Sequence, residues 1–102
     1  MNVTMQRRAE IAFDLLNEKD HKQLQRALER LNTLSPFDFY HDRNIHKLVF
    51  FTGEKLYSFK GNKDLRILLS IDNENTEKCI VEDIFTVGRL KKLPVFRDQQ
   101  IV

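Results

Sequence analysis

The sequence predicts an α+β domain: an N-terminal helical hairpin packed on one face of a twisted, mainly antiparallel sheet of four to five strands. Three observations carry this. Residues 65–71 and 79–87 are rich in Ile, Leu and Val on both parities, as central strands buried on most of both faces are. Residues 55–60 alternate more cleanly, and the turn cluster Gly61-Asn62-Lys63-Asp64 leads from them into the first long strand, as between antiparallel neighbours. Ahead of these lie two stretches with apolar residues at helical spacing, whose faces need the sheet as a partner.

In chain order, residues 2–5 suit a short first strand. Ala9, Ala12, Phe13 and Leu16 follow the spacing i, i+3, i+4, i+7 of one helix face over residues 7–17. Residues 17–20 interrupt, and Asp20 with Gln23 resembles a capping box for a second helix burying Leu24, Ala27, Leu28 and Leu31. Ser35-Pro36 is expected to end that helix, because proline lacks the amide and restricts the residue before it. Residues 37–44 read as an aromatic loop packing its rings on the sheet edge, with a base-stacking surface as the alternative. Residues 45–51 form a further strand, and Thr52-Gly53-Glu54 a turn. At 102 residues the chain is expected to be one domain, 1–102, with a C-terminal tail from about residue 94.

Composition excludes several classes. Three glycines leave no phosphate cradle, there is no nucleophile elbow, and His21, His41 and His46 are scattered. One cysteine builds neither an intrachain disulfide nor a zinc site, and Cys79 inside an apolar strand reads as a small hydrophobe. No metal or cofactor is expected. No apolar run is long enough to span a bilayer and the first ten residues lack a signal-peptide core, so a cytoplasmic location is expected.

The net charge of +2 conceals alternating blocks. Residues 43–68 hold six Lys/Arg against two acids, residues 72–83 five acids against one Lys, and residues 89–97 four cations and no acid. Such blocks suit either a mixed solvated surface or two basic stretches that converge in the fold. Strand parity groups Ser58 with Lys60, and Arg66 with Leu68 and Ser70, so Lys60 and Arg66 are expected on one open face. Arg89 leaves the last long strand. Three such cations suit a phosphate backbone; alternatively Lys60 and Arg66 pair with Glu82 or Asp83.

The order of elements, with Leu56-Tyr57, Leu65-Arg66-Ile67, Ile71-Asp72 and Val87-Gly88-Arg89 at their spacing, resembles the RelE/ParE superfamily of type II toxins over about residues 3–96. For the RelE branch the resemblance implies a metal-independent, ribosome-dependent endoribonuclease that drives a ribose 2′-hydroxyl onto the adjacent phosphate. Lys60 matches a lysine of the family's catalytic strand, Arg66 the arginine that stabilises the phosphate, and Arg89 lies beside the second catalytic arginine. Lys63, Lys91 and Lys92 would contact RNA backbone. Phe96 stands where many members stack a tyrosine on a base. The chain departs from the pattern at Ser58, where a lysine is usual, at Leu90, where that second arginine is usual, and at Phe96, which has no hydroxyl. Glu82, Asp83, His41 and His46 are the groups available to substitute. The implied partners are an acidic antitoxin protein and mRNA on the ribosome, in a monomer or a toxin–antitoxin hetero-oligomer. The alternative is a non-catalytic member, either a ParE-like inhibitor docking on DNA gyrase or a degenerate antitoxin-binding protein.

Overall fold

The first element is a strand. In β1 (Asn2–Met5), Val3 and Met5 turn toward the core while Asn2 and Thr4 face solvent. It pairs in parallel with the last strand, Val3 opposite Cys79 and Met5 opposite Val81. The computed structural model describes residues 1–96. The short first strand expected at residues 2–5 is thus present, and the helical pair follows it rather than opening the chain, because the β1 segment finds backbone partners on β5.

Helix α1 (Arg7–Asp14) buries Ala9 and lies mainly against β5. Helix α2 (Glu18–Thr33) buries Leu24 and Leu31, each fully, which stabilises the fold by roughly 1.5–3 kcal/mol per side chain. Its cap is Asn17, not Asp20. The Asn17 carboxamide oxygen accepts from the Asp20 amide at 2.8 Å, and its nitrogen donates to the Asp20 carboxylate at 3.1 Å. Asp20 thus sits within the first turn of the helix, where an acid also favours the positive end of the helix dipole.

The aromatic stretch is a helix, not a loop. In α3 (Pro36–His41), the Ser35 hydroxyl accepts from the Asp38 amide at 3.1 Å and Pro36 occupies the first turn, where its missing N–H costs nothing. Only Phe39 is buried, while Phe37 and Tyr40 remain exposed.

Strands β2 (Ile45–Val49), β3 (Lys55–Lys60), β4 (Leu65–Ile71) and β5 (Lys78–Thr86) complete a five-stranded mixed sheet in the order β1-β5-β4-β3-β2. The last four pair antiparallel in sequence, and only β1 is parallel to its neighbour. Gly61 makes room for α2 on this sheet, since a Cβ there would meet Leu24 Cδ1 at 3.0 Å. Gly53, at φ 90°, supplies the left-handed residue of the β2–β3 turn.

The helices cover one face of the sheet around Phe59, Ile67, Leu69, Cys79, Val81 and Ile84. A second cluster forms on the opposite face from Leu48, Leu68, Phe85, Leu90 and Val95. Its cover is α4 (Val87–Leu90), capped by the Thr86 hydroxyl, followed by residues 91–96. Val95 bridges Phe50, and the Phe96 amide donates to the Val49 carbonyl at 3.1 Å. The beginning of the expected tail is therefore packed; its last six positions, 97–102, lie outside the described residues.

Candidate nucleic-acid interface

Side chains alternate across a strand, so the helix-side core determines what the other face carries. With Phe59, Ile67 and Leu69 toward the helices, Ser58 and Lys60 on β3 and Arg66, Leu68 and Ser70 on β4 point away from them. His46 joins as the partner of Ser58 on β2. Lys60 and Arg66 are direct partners, and Arg66 is in turn opposite Phe85.

On β5 a bulge alters the count. Leu69 pairs with Val81 but Leu68 with Asp83, leaving Glu82 as the extra residue. Val81 and Ile84 both enter the helix-side core, so Glu82 and Asp83 share the second face. Beyond Val81 the edge of β5 is free of β1, and Arg8 reaches round it from α1. The Arg8 Nε donates to the Glu82 carbonyl at 2.8 Å and lies 3.9 Å from the Asp83 carboxylate, while Nη2 lies 3.7 Å from that of Glu82. The Ser70 hydroxyl donates to Glu82 Oε1 at 2.7 Å. Arg8 thus takes the role toward these acids that Lys60 and Arg66 were candidates for.

Arg66 is not spread on an open surface; it is only 4% exposed. Its Nη1 donates to the Asn62 carbonyl at 2.7 Å and the Leu65 carbonyl at 3.0 Å. Burial lowers its pKa from the usual arginine value, with Asp64 opposing, and an arginine starts high enough to stay charged. Asn62 holds this turn together. Its oxygen accepts from the Asp64 and Leu65 amides, both at 2.9 Å, and its nitrogen donates to Asp20 and Gln23 of α2, both at 2.9 Å.

Arg89 is exposed and its guanidinium carbon lies 4.0 Å from the centroid of the Phe85 ring. The Val87 amide donates to the Asp64 carbonyl at 3.0 Å, joining α4 to the β3–β4 turn. Lys60, Lys63, Arg66 and Arg89 therefore converge at one end of the sheet. Lys91 and Lys92 are exposed on the segment that follows. Phe96 does not join them: it packs edge-on to Phe51 with centroids 5.3 Å apart, beside Val49, roughly 17 Å of strand from Lys60.

Ser58 is 2% exposed and Leu90 fully buried. Leu90 is part of the apolar cover, so the position where the resemblance expects an arginine is core. Sequence reasoning missed Arg8, Asn62 and Phe85; the turn signal at Asn62 was visible, but its reach to Asp20 and Gln23 depends on tertiary structure. Among the described residues no helix is long and apolar enough to cross a membrane, and no group of three or more His, Cys, Asp or Glu is placed to hold a metal.

No protein-family profile matches the chain, and no curated protein matches it by sequence. Among solved structures it is similar to a chain of the archaeal RelE–RelB complex from Pyrococcus horikoshii OT3. The TM-score is 0.62 at 17% identity, over 86% of this chain and 96% of that one. An N-terminal strand parallel to the last one, helices on one face and an antiparallel meander thus make up a RelE-like fold, the fold of that chain.

Proposed function

We propose that this chain is the toxin of a type II toxin–antitoxin pair and that it cleaves mRNA on the ribosome. The observation that carries the reading is the pairing of Lys60 with Arg66 on neighbouring strands of this fold, with Arg89 beside them over Phe85. Cations set this close suit a phosphate whose negative charge grows as a 2′-oxygen attacks it.

The remaining need is a proton acceptor. Ser58 is buried and Leu90 apolar, and Glu82 and Asp83 are engaged with Arg8 and Ser70. His46, half-buried on the same face opposite Ser58 and diagonal to Lys60, is the group placed for the task. In this scheme its imidazole takes the 2′-hydroxyl proton as the 2′-oxygen bonds to phosphorus. The bond to the 5′-oxygen breaks, that oxygen is protonated from water, and a 2′,3′-cyclic phosphate remains. No metal takes part.

The neighbour in the comparison is a RelE–RelB complex, and by analogy the partner of this chain is an acidic antitoxin segment that neutralises the cationic end. A second reading has its own support. Arg66 is tied to backbone carbonyls, and two of the three positions where the chain departs from the family pattern, Ser58 and Leu90, are core, which suits a toxin that docks on a target such as gyrase without cutting.

Controlled induction of the chain, alone and as Arg66→Ala or His46→Ala, followed by mapping of mRNA ends, separates the two. Growth arrest with new ends that both variants abolish is the expected result. Arrest with intact mRNA would reject cleavage and leave the docking reading. Growth without arrest would reject both toxin readings in favour of a degenerate antitoxin-binding protein.

A further inference from the structure

A pocket lies on the helix side of the sheet, between α3 and the β4–β5 turn, away from the Lys60–Arg66 end. Its volume is about 210 Å³, and Tyr40, Tyr57, Lys55, Asp72, Asn73 and Thr76 line it over Ile71. The two tyrosine rings stand 5.8 Å apart at 69°. Both lean edge-on against the fully buried Phe39, at 5.2 Å and 5.3 Å, so the rings are held in place by the core.

We infer that this pocket binds a nucleobase with its phosphate, either as a free nucleotide or as one unit of a single-stranded RNA. Tyr40 is 51% exposed and offers a ring surface for stacking, which every base can use. Asn73 and Thr76 bring amide and hydroxyl groups to the rim, the donors and acceptors that a base edge requires. Asp72 adds a carboxylate that accepts from an exocyclic amino group, although its Oδ1 already accepts from the Glu74 amide at 2.8 Å. Lys55 is exposed at the mouth, and Lys47, the cross-strand partner of Tyr57, is exposed beside it. Both are placed for the phosphate.

A peptide fits less well. β3 and β4 are interior strands with both edges paired, so the pocket floor offers no backbone edge for an added strand. The site is independent of the cleavage chemistry proposed above and stands without it.

The test is an NMR titration of the 15N-labelled chain with adenosine and uridine 5′-monophosphates, with the matching nucleosides, and with a six-nucleotide single-stranded RNA. Shifts at Tyr40, Tyr57, Asn73 and Thr76 are expected. Tyr40→Ala should weaken binding by at least about fivefold while Tyr40→Phe retains it, and Lys55→Ala should weaken the nucleotides but not the nucleosides. Unchanged dispersion of the remaining resonances shows that the variants are folded. Response to the mononucleotides identifies a nucleotide site, and response to the hexamer alone an RNA subsite. No shift at these residues at millimolar probe, or shifts confined to the surroundings of Lys60 and Arg66, would overturn the inference. So would a response to an acidic peptide, titrated alongside these probes, with none to any nucleotide.

Discussion

The guanidinium of Arg89 lies 4.0 Å over the ring of Phe85, and that ring is the cross-strand partner of Arg66. One phenylalanine therefore separates two of the cations proposed to hold the phosphate. Its ring face attracts Arg89, and its bulk helps keep water from Arg66. Phe85→Leu keeps the side chain apolar but removes the π face. The expected outcome is a stability change below about 1.5 kcal/mol, with severalfold weaker RNA binding from the lost cation–π contact. Urea denaturation and fluorescence anisotropy with a short RNA measure the two separately.

Arg66→Lys tests geometry against charge. A lysine keeps the positive charge but has no planar fork with which to satisfy the Asn62 and Leu65 carbonyls and still face a phosphate. We expect mRNA cleavage to fall about 10²–10³-fold, the usual loss when one donor to a developing oxyanion is removed. Stability should drop by roughly 1 kcal/mol, because the half-buried Asn62 carbonyl loses this partner while the Leu65 carbonyl keeps the Gly61 and Asn62 amides. Retention of near-native cleavage by the lysine variant would show that charge alone suffices.

Strand boundaries were legible because each long strand carried its own evidence: β3 and β4 begin and end where alternation and the turn at Gly61 place them. The aromatic helix α3 was not, because six residues are too few to show a period and Ser35-Pro36 signals a helix start as readily as a stop. Placement of the candidate cations was legible as far as Lys60 and Arg66 sharing one face, which parity gives, while their direct pairing depends on strand register. It failed at β5, where the bulge breaks parity and puts Glu82 and Asp83 on one face. It failed again at Arg66, whose burial comes with a turn and a C-terminal cover that local sequence does not reveal.

Leu90 stands where the sequence resemblance expects an arginine, yet its side chain is core. If its side chain merely replaced a catalytic arginine, Leu90→Arg would restore activity. The fully buried site predicts the reverse. Leu90→Ala should cost about 2–5 kcal/mol, and Leu90→Arg at least as much, since an unpaired charge would enter the cluster with Leu48, Leu68 and Val95. Thermal and urea unfolding of both variants provide the check, and a stable, more active arginine variant would contradict this account of the cover.

Arg8 is an exposed residue whose importance lies in what it masks. Its side chain is 67% accessible, so its pairs with Glu82 and Asp83 are solvent-screened, and Arg8→Ala should change stability by only about 0–1 kcal/mol. The effect on RNA is expected to be larger, because two carboxylates on the sheet face would lose their shared counter-charge. Affinity should fall in the variant, most clearly at low salt where screening is weak. Binding isotherms at two salt concentrations test this, and equal affinities for both proteins at low salt would remove Arg8 from the interface.

Cys79 provides a pH-linked test of the core. Burial pushes its thiol from the ordinary 9.0 to about 12. The unfolded chain therefore gives up this proton at lower pH than the folded one, and the stabilising contribution is complete below about pH 9. Between pH 9 and about 12 the folded state binds the extra proton, so stability falls as pH rises, at up to about 1.4 kcal/mol per unit from this group. Cys79→Ala should flatten that limb of the stability profile, although loss of the buried sulfur lowers its plateau. At pH 8.5 the native thiol should react with an alkylating agent only as fast as the chain opens, because the thiolate is the reactive form. Labelling at the rate of an exposed thiol, without denaturant, would show that β5 is not packed between β1 and β4 as the register requires.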